Sequence, residues 1–304
     1  MKHSITLFLC LLLPCLTVVA QEDDDVITLR LMTYNIRHGA GMDDVIDLDR
    51  QAAVIQGATP DVVGLQEVDS CVKRSGYIPQ AAVLGQKTGM YATFGGAIPL
   101  TGGKYGVAIL SKEQPLSVRN IPLPGVEKRT LLVCEFQEFV FASTHLDLND
   151  SCRMASMPII LEEAARWEKP FFICGDWNDK PNSTFITKLK KSLLFLNNIT
   201  DNTANYTFPA DTPNRIIDYI ASYGRVVKSI RKRQVINEPK ASDHRPVLVE
   251  VRLNRYTTDI RTPAISEGEG AIYNVAGQRI RKLQNQRTTY VKGINIHNGR
   301  KIVW

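Results

Sequence analysis

The sequence lacks the features of a polytopic membrane protein, a repeat protein or a low-complexity chain. It has no series of long apolar segments, no internal repeat and no biased tract. Of its 304 residues, 44% are hydrophobic and 22% are charged, which is the balance of an ordinary globular protein with enough apolar side chains for a sizeable core. Intrinsic disorder and a collagen-like fibre are therefore excluded as well.

The central part of the chain has no surplus of basic side chains. Residues 21–251 hold 26 Lys and Arg against 28 Asp and Glu, whereas residues 252–304 hold 10 against 3. The overall charge of +6 therefore comes from the tail. Proteins that bind nucleic acid non-specifically derive most of their affinity from basic groups that displace phosphate counterions. Nucleic acid is thus a possible partner of the central part but not the favoured one.

Paired metal-binding cysteines are also missing. No C-x-x-C spacing occurs, so a zinc site is not indicated. Cys134 and Cys174 lie inside apolar runs of strand length, which is typical of buried, inert thiols. Export would permit a disulfide between two of the four cysteines beyond residue 20, and the sequence leaves that pairing open.

The first 20 residues have the pattern of a secretory signal peptide. A short basic start precedes the apolar run Ile5–Leu13, and Ala20 ends a small-residue processing site. The run is too short to span a bilayer comfortably, and Pro14 before Cys15 argues against a lipoprotein. We therefore predict export to the periplasm, the cell surface or the medium, with no transmembrane segment in the mature chain.

Apolar runs of strand length alternate with helical patterns. The strand-like runs are Ile27–Tyr34, Val62–Gln66, Val107–Leu110, Leu131–Phe136, Phe139–Thr144, Phe171–Cys174 and Val247–Val251. The helical stretches between them are Leu48–Gly57, Pro79–Thr88, Arg153–Trp167 and Ser183–Lys191. This alternation predicts a layered α/β domain. Two residues, Gln137 and Glu138, separate two β-rich runs and predict a hairpin, so the sheets should be mixed.

Polar side chains able to bind a metal or a phosphate recur where these strands end. They are Asn35, Glu67, His145, Asp176, Asn178, Asp218, Asp243 and His244. Layered α/β proteins gather their sites on the loops at strand ends, so we expect these residues to form one pocket. Oxygen donors with no thiol among them favour a hard divalent cation such as Mg²⁺.

Six short strings around these residues carry a family resemblance. They are Thr33–Gly39, Leu65–Asp69, Thr144–Asp147, Gly175–Asp179, Ile217–Ile220 and Ser242–Pro246. In this order they resemble the endonuclease/exonuclease/phosphatase superfamily, whose members cleave phosphate esters with Mg²⁺ or Mn²⁺. The resemblance implies a four-layer α/β sandwich, in which two mixed β-sheets pack face to face between helices and the active site lies at one end.

The resemblance also implies a metal site. Glu67 would be the principal carboxylate for Mg²⁺ or Mn²⁺, Asn35 would lie beside it, and Asp243 would add an oxygen. Many members carry an acidic residue where this chain has Arg37, so one potential ligand is missing. Whether one metal or two are bound is left open.

The remaining five residues would act on the substrate. By the resemblance, Asp176 would orient or deprotonate the attacking water, Asn178 and His145 would hold non-bridging phosphate oxygens, and His244, paired with Asp218, would stabilise charge on the phosphoryl group. Phosphoryl transfer depends on positioned cations and hydrogen-bond donors, which these residue types supply. A carboxylate beside an imidazole fixes its tautomer and favours its cationic form.

The chain changes character after Val251. We predict a signal peptide at 1–20, the catalytic domain at 21–255, a polar linker at 256–270 and a small β module at 271–304. The Gly- and Asn-punctuated end of this module is similar to short C-terminal sorting modules of exported Bacteroidetes proteins. A plain β appendage is the alternative.

These observations predict an exported, metal-dependent phosphoesterase that acts by in-line water attack. The favoured substrate is a small-molecule or lipid-derived phosphate ester, and the first alternative is an extracellular nuclease. A surface protein that binds a ligand without turnover is an alternative of another class. The sequence does not indicate an oligomeric state.

Overall fold

The computed structural model of the chain describes residues 25–256 and four short strands beyond them. The strands of the first part are β1 Val26–Asn35, β2 Val62–Ser70, β3 Tyr91–Leu100, β4 Gly103–Ser111, β5 Ser117–Leu123, β6 Arg129–Glu135, β7 Val140–His145, β8 Phe171–Asp176, β9 Leu193–Phe195, β10 Asp218–Tyr223, β11 Ser229–Val235 and β12 Val247–Asn254. The helices are α1 Leu48–Ala58, α2 Gln80–Thr88, α3 Asp150–Ala165 and α4 Thr184–Leu189. None of the described helices is long and apolar enough to cross a membrane.

The strands form two six-stranded sheets. The first has the order β11-β12-β1-β2-β4-β3 and the second the order β5-β6-β7-β8-β10-β9. In each sheet one central pair is parallel, β1 with β2 and β7 with β8, and the other pairs are antiparallel. The predicted hairpin is confirmed, since β6 and β7 pair through the turn at residues 136–139. Both sheets are therefore mixed, as predicted.

Three apolar cores separate four layers. One core lies between the sheets, where Leu31 of β1 and Phe141 of β7 are fully buried. A second lies between the first sheet and α1 and α2, and a third between the second sheet and α3 and α4. Successive side chains of β1 alternate between these cores: Leu31 faces the other sheet and Met32 faces the helices. The predicted four-layer α/β sandwich is confirmed.

The two sheets approach closely below the end of the strands. Gly64 of β2 has no side chain, and a Cβ there would lie 2.3 Å from Sγ of Cys174. Beside it, Nε2 of Gln66 donates to Oγ of Ser143 on the opposite sheet at 3.0 Å, and Oγ1 of Thr33 donates to Oε1 of Gln66 at 3.1 Å. These buried bonds fix the relative position of the strand ends that carry the polar residues.

The chain divides at Tyr256 into two units. In the second unit, strands β13 Ile272–Tyr273, β14 Arg279–Ile280, β15 Ile294–His297 and β16 Arg300–Val303 form an antiparallel sheet of their own with the order β14-β13-β15-β16. The predicted signal peptide and residues 257–270 of the predicted linker lie outside the described residues. Export and a sorting role for the tail stay predictions.

Candidate active site

A cavity of about 670 Å³ opens at the end of the sandwich where β1, β2, β7 and β8 finish. Six of the eight predicted site residues line it: Glu67, His145, Asp176, Asn178, Asp243 and His244. The other two, Asn35 and Asp218, lie behind this surface and contact residues that line it. The structure thus brings all eight residues together, while the roles given to them stay predictions.

Glu67 reaches the cavity because β2 is irregular at this point. The pairing of β2 with β4 shifts register between Leu65 and Val68, and Glu67 has a φ of +57°. The side chain of Gln66 points between the sheets, so in a regular strand Glu67 would face the helices. The bulge and the left-handed backbone turn its carboxylate to the cavity instead. Strain of this kind costs about 1 to 3 kcal/mol and is concentrated at functional sites.

Asn35 joins two of the carboxylates. It is fully buried at the end of β1, and its Nδ2 donates to Oε1 of Glu67 at 3.0 Å and to Oδ2 of Asp176 at 3.1 Å. Its Oδ1 accepts the backbone N–H of Arg37 at 3.0 Å. One amide therefore fixes the spacing between a carboxylate of the first sheet and a carboxylate of the second.

His244 lies between two buried carboxylates. Asp176 and Asp218 are opposite each other on β8 and β10. Nδ1 of His244 is 3.0 Å from Oδ2 of Asp218, and its Nε2 is 3.5 Å from Oδ2 of Asp176. Burial works against a charged ring, but the two carboxylates outweigh it and raise the pKa of His244 to about 10. His244 is therefore a cation at neutral pH.

His145 is the neutral counterpart of His244. Burial first, and then the positive charges of Arg129 and His244, hold the pKa of His145 well below its usual range. Its Nε2 lies 3.0 Å from Nδ2 of Asn178 and 3.5 Å from Oδ2 of Asp176. Asn178 has a φ of +50°, a conformation that Asn tolerates better than most residues. The cavity floor thus presents one neutral and one cationic imidazole.

Asp243 completes the wall on the side of Glu67. Its carboxylate is 27% exposed, and its Oδ2 lies 3.8 Å from Nε of Arg37. Arg37 also pairs with Asp44 at 2.8 Å. The neighbouring Ser242 donates from Oγ to the backbone carbonyl of Asn35 at 2.7 Å, which ties the loop before β12 to the end of β1.

A comparison with protein families identifies the family of this chain. Residues 32–244, most of the described main unit, match the model of the Endonuclease/Exonuclease/phosphatase family. The chain belongs to the endonuclease/exonuclease/phosphatase family. Members of this family are phosphoesterase hydrolases that depend on divalent metals. No match was found among curated proteins.

Several solved structures share the fold of this chain. An endonuclease/exonuclease/phosphatase from Beutenbergia cavernae has a TM-score of 0.61 at 21% identity, covering 84% of this chain and 88% of that chain. A mannosyl-6-phosphatase from Bacteroides thetaiotaomicron has a TM-score of 0.58 at 18% identity, covering 73% and 99%. The human Nocturnin catalytic domain with bound sulfate has a TM-score of 0.56 at 20% identity, covering 75% and 96%.

The side chains at the cavity fit the divalent cation on which the family depends. The site gathers the carboxylates of Glu67, Asp176, Asp218 and Asp243. Burial is the main reason why the pKa values of Glu67 and Asp176 are raised, which shows that the protein alone solvates these negative charges poorly. Ligand atoms of Asp176, Asp218 and His244 also lie within 4.8 Å of one another, but there the cationic ring of His244 already balances the carboxylates, which leaves Glu67 and Asp243 for a metal. A hard cation would relieve this excess of negative charge.

Arg129 is a site residue that the sequence analysis missed. It opens β6, is only 7% exposed and lines the cavity, with Nη1 3.5 Å from Nδ1 of His145. Nη1 also donates to Oε1 of Glu127 at 2.7 Å, while Nε has no hydrogen-bond partner among the described residues. The sequence signal for it was a basic residue just before the apolar run Leu131–Phe136. Phe208 lines the same cavity, with its ring 4.6 Å from that of His244.

Proposed function

We propose that this protein is a Mg²⁺- or Mn²⁺-dependent hydrolase of phosphate esters that acts outside the cytoplasm. The observation that carries the proposal is the environment of one carboxylate oxygen, Oδ2 of Asp176. It lies 3.1 Å from Nδ2 of Asn35 and 3.5 Å from Nε2 of both His145 and His244. A water bound there would have an acceptor for its proton and donors around it for a phosphate.

The chemistry would be an in-line displacement by water. A new P–O bond forms as the ester P–O bond breaks, the proton of the water passes to Asp176, and the departing oxygen takes up a proton from the solvent to become an alcohol. Asn178 and His145 would hold the non-bridging oxygens. The cationic ring of His244, oriented by Asp218, would stabilise the negative charge that develops.

The proposed cation would be held on the Glu67 side of the cavity. Glu67 and Asp243 offer the hard oxygen donors that Mg²⁺ and Mn²⁺ prefer, and Asn35 would hold the carboxylate of Glu67 in place beside the cation. When bound, the cation would supply Lewis-acid polarisation of a phosphoryl oxygen. Arg37 neutralises part of Asp243, which favours one tightly bound metal over two.

The names of the structural neighbours agree with a phosphate-ester substrate. One of them is a mannosyl-6-phosphatase, and the Nocturnin structure holds a sulfate, an anion with the shape of phosphate. We infer a small-molecule or lipid-derived phosphate ester because the central part of the chain has no basic surplus. Action outside the cytoplasm rests on the first 20 residues alone.

The test is hydrolysis of bis-p-nitrophenyl phosphate, p-nitrophenyl phosphate and DNA with Mg²⁺, Mn²⁺ or EDTA. We expect turnover of at least one nitrophenyl ester with metal and none with EDTA. Release of nucleotides from DNA with steep salt dependence would identify the nuclease alternative instead. Metal binding without turnover of any substrate would contradict the hydrolase and identify a binding protein.

A further inference from the structure

The charged side chains that line the cavity are not evenly distributed. Three of its carboxylates already face a cation: Glu127 faces Arg129 at 2.7 Å, Asp179 faces Arg153 at 3.3 Å and Asp176 faces His244 at 3.5 Å. Of the lining charges that remain, the negative ones are Glu67 and Asp243, which the proposed metal would neutralise. The positive ones are Lys180 and Arg215, and neither forms an ion pair within the described residues.

The segments that carry these two cations hold no acidic side chain that pairs with them. Residues 177–183, between β8 and α4, contain one carboxylate, that of Asp179, which is already engaged. Residues 208–217, before β10, contain Asp211, which is not part of the cavity lining. One oxygen of Asp211 accepts the backbone N–H and the hydroxyl of the next residue, at 2.7 Å and 3.1 Å. This part of the cavity wall is therefore positively charged.

Arg215 is held at the wall by an aromatic ring. Its backbone exchanges two hydrogen bonds of 3.2 Å with that of Phe208, and its guanidinium lies 4.5 Å from the centroid of the Phe208 ring. The same ring is 4.6 Å from the ring of His244. Arg215 is thus one aromatic ring away from the imidazole proposed to face the phosphoryl group. A guanidinium stacked in this way keeps its edge available for an anion.

The segment of Lys180 is joined to that of Arg215. The hydroxyl of the fully buried Tyr219 lies 2.7 Å from the carbonyl oxygen of Asp179 and 3.2 Å from that of Ile216, the residues next to the two cations. Two cations brought together repel each other when no anion is bound. A terminal phosphate carries close to two negative charges at neutral pH, so one such group matches both cations.

We propose that Lys180 and Arg215 form a second anion subsite, and that the substrate is a small phosphate ester with a second, terminal phosphate. One phosphate would be hydrolysed between His145 and His244, while the other binds the two cations. This inference rests on the proposed phosphoesterase function for its substrate, but binding of the second phosphate does not require turnover.

The size and charge of the site favour a small substrate over nucleic acid. A cavity of about 670 Å³ is in the range of small-molecule sites. The central part of the chain has no basic surplus, so a long polyanion would find few further contacts.

The test uses the full chain lacking only the predicted signal peptide. Its substrates are the bisphosphates of ethanediol, butanediol and hexanediol, each compared with the monophosphate of the same diol, with Mg²⁺ or Mn²⁺. The series samples the distance between the two phosphates. We expect kcat/KM for the best bisphosphate to exceed that for its monophosphate by about tenfold or more.

This preference should disappear in Lys180→Gln/Arg215→Gln. The loss should be mainly in KM, because the second phosphate is bound alike in the ground state and the transition state. The matched control is Lys188→Gln/Arg225→Gln, which removes the same two charges at exposed positions on α4 and in the loop after β10, outside the cavity lining. The control should keep the preference of the parent. Circular dichroism checks that both double variants are folded.

Three results would overturn the subsite. They are a parent that prefers no bisphosphate of the series, a preference that persists in Lys180→Gln/Arg215→Gln, and an equal loss in the control. Cleavage of oligothymidylate that is faster than that of every bisphosphate, and that is lost in the same variant, would assign the two cations to nucleic acid and overturn the small substrate.

A binding measurement separates the two proposals. Calorimetric titration of the same compounds into Asp176→Asn with Mg²⁺ measures binding without the proton acceptor for the attacking water. A bisphosphate that binds about tenfold tighter than its monophosphate, with this advantage lost on adding Lys180→Gln/Arg215→Gln, would support the subsite even if the parent hydrolysed no ester and the phosphoesterase were contradicted. Hydrolysis of monophosphates with no preference for any bisphosphate would contradict the subsite and leave the phosphoesterase intact.

Discussion

Nδ1 of His244 lies 3.0 Å from Oδ2 of Asp218, and both side chains are buried. The pair holds a positive charge beside Asp176, at the place where the proposed reaction develops negative charge. Asp218 therefore acts through His244, and the pair can be tested in the metal-free protein, where the titration of the ring is measured directly.

The first prediction concerns the charge of His244. In the parent, NMR of labelled imidazole in EDTA should show a ring that stays cationic through pH 8, because the carboxylates outweigh burial and raise its pKa to about 10. Asp218→Asn should lower this pKa by at least one unit, about 1.4 kcal/mol. A ring with an ordinary pKa in the parent would contradict the assignment.

The same pair has a consequence for stability. The pKa of His244 is higher in the folded protein than the usual 6.5, so its contribution to stability is complete below pH 6.5 and is lost as the pH rises toward about 10. The difference in free energy of unfolding between the parent and Asp218→Asn should therefore shrink across that window. Urea denaturation at a series of pH values measures it.

The second prediction concerns Glu67 as the metal carboxylate. Glu67→Gln should lower kcat by about a hundredfold to a thousandfold, which is about 2.7 to 4 kcal/mol. It should also remove the rise in melting temperature that Mg²⁺ or Mn²⁺ produces in the parent. Glu113→Gln, an exposed carboxylate in the loop after β4, is the matched control and should change neither quantity. A rise in melting temperature with metal that persists in Glu67→Gln would show that the metal binds to other residues.

The third prediction concerns Arg129. Arg129→Met should raise the pKa of His145, because Arg129 is, after burial, the largest cause that lowers it. We also expect kcat/KM for a phosphate ester to fall by about tenfold or more, since a buried cation is lost from the cavity wall. Arg119→Met is the control, because Arg119 pairs with Glu163 away from the cavity. An unchanged His145 titration would show that Arg129 does not influence the ring.

The fourth prediction concerns the close approach of the sheets at Gly64. A methyl group there would meet Sγ of Cys174 at 2.3 Å and Oγ of Ser143 at 2.8 Å, so Gly64→Ala should destabilise the fold by about 1 to 3 kcal/mol. Gly57→Ala is the matched control, since nothing lies within 4 Å and the position is helical. It should stabilise by about 0.5 to 1 kcal/mol. Urea denaturation that shows equal effects would contradict the packing argument.

Most of the strands that the sequence did not reveal lie at sheet edges. The missed strands are β3, β5, β9, β10 and β11, and all except β10 are edge strands. An edge strand is exposed on one side and needs no continuous apolar run. The charged residues Arg231, Lys232 and Arg233 of β11 therefore resemble a solvent-exposed segment and not a strand. The central strands β1, β2, β7 and β8 are covered on both faces, so they have continuous apolar runs that could be predicted from the sequence.

The sequence by itself determined the layered α/β class and the hairpin between β6 and β7, because apolar periodicity is a local property of the chain. It also marked eight polar residues as candidates near strand ends, although Glu67 lies inside β2 and Asp218 begins β10. Tertiary structure alone decided that the bulge at Glu67 turns its carboxylate to the cavity, that Arg129 lies beside His145, and that His145 is neutral while His244 is cationic. Those features depend on register, burial and neighbouring charge, which arise only when segments distant in sequence pack together.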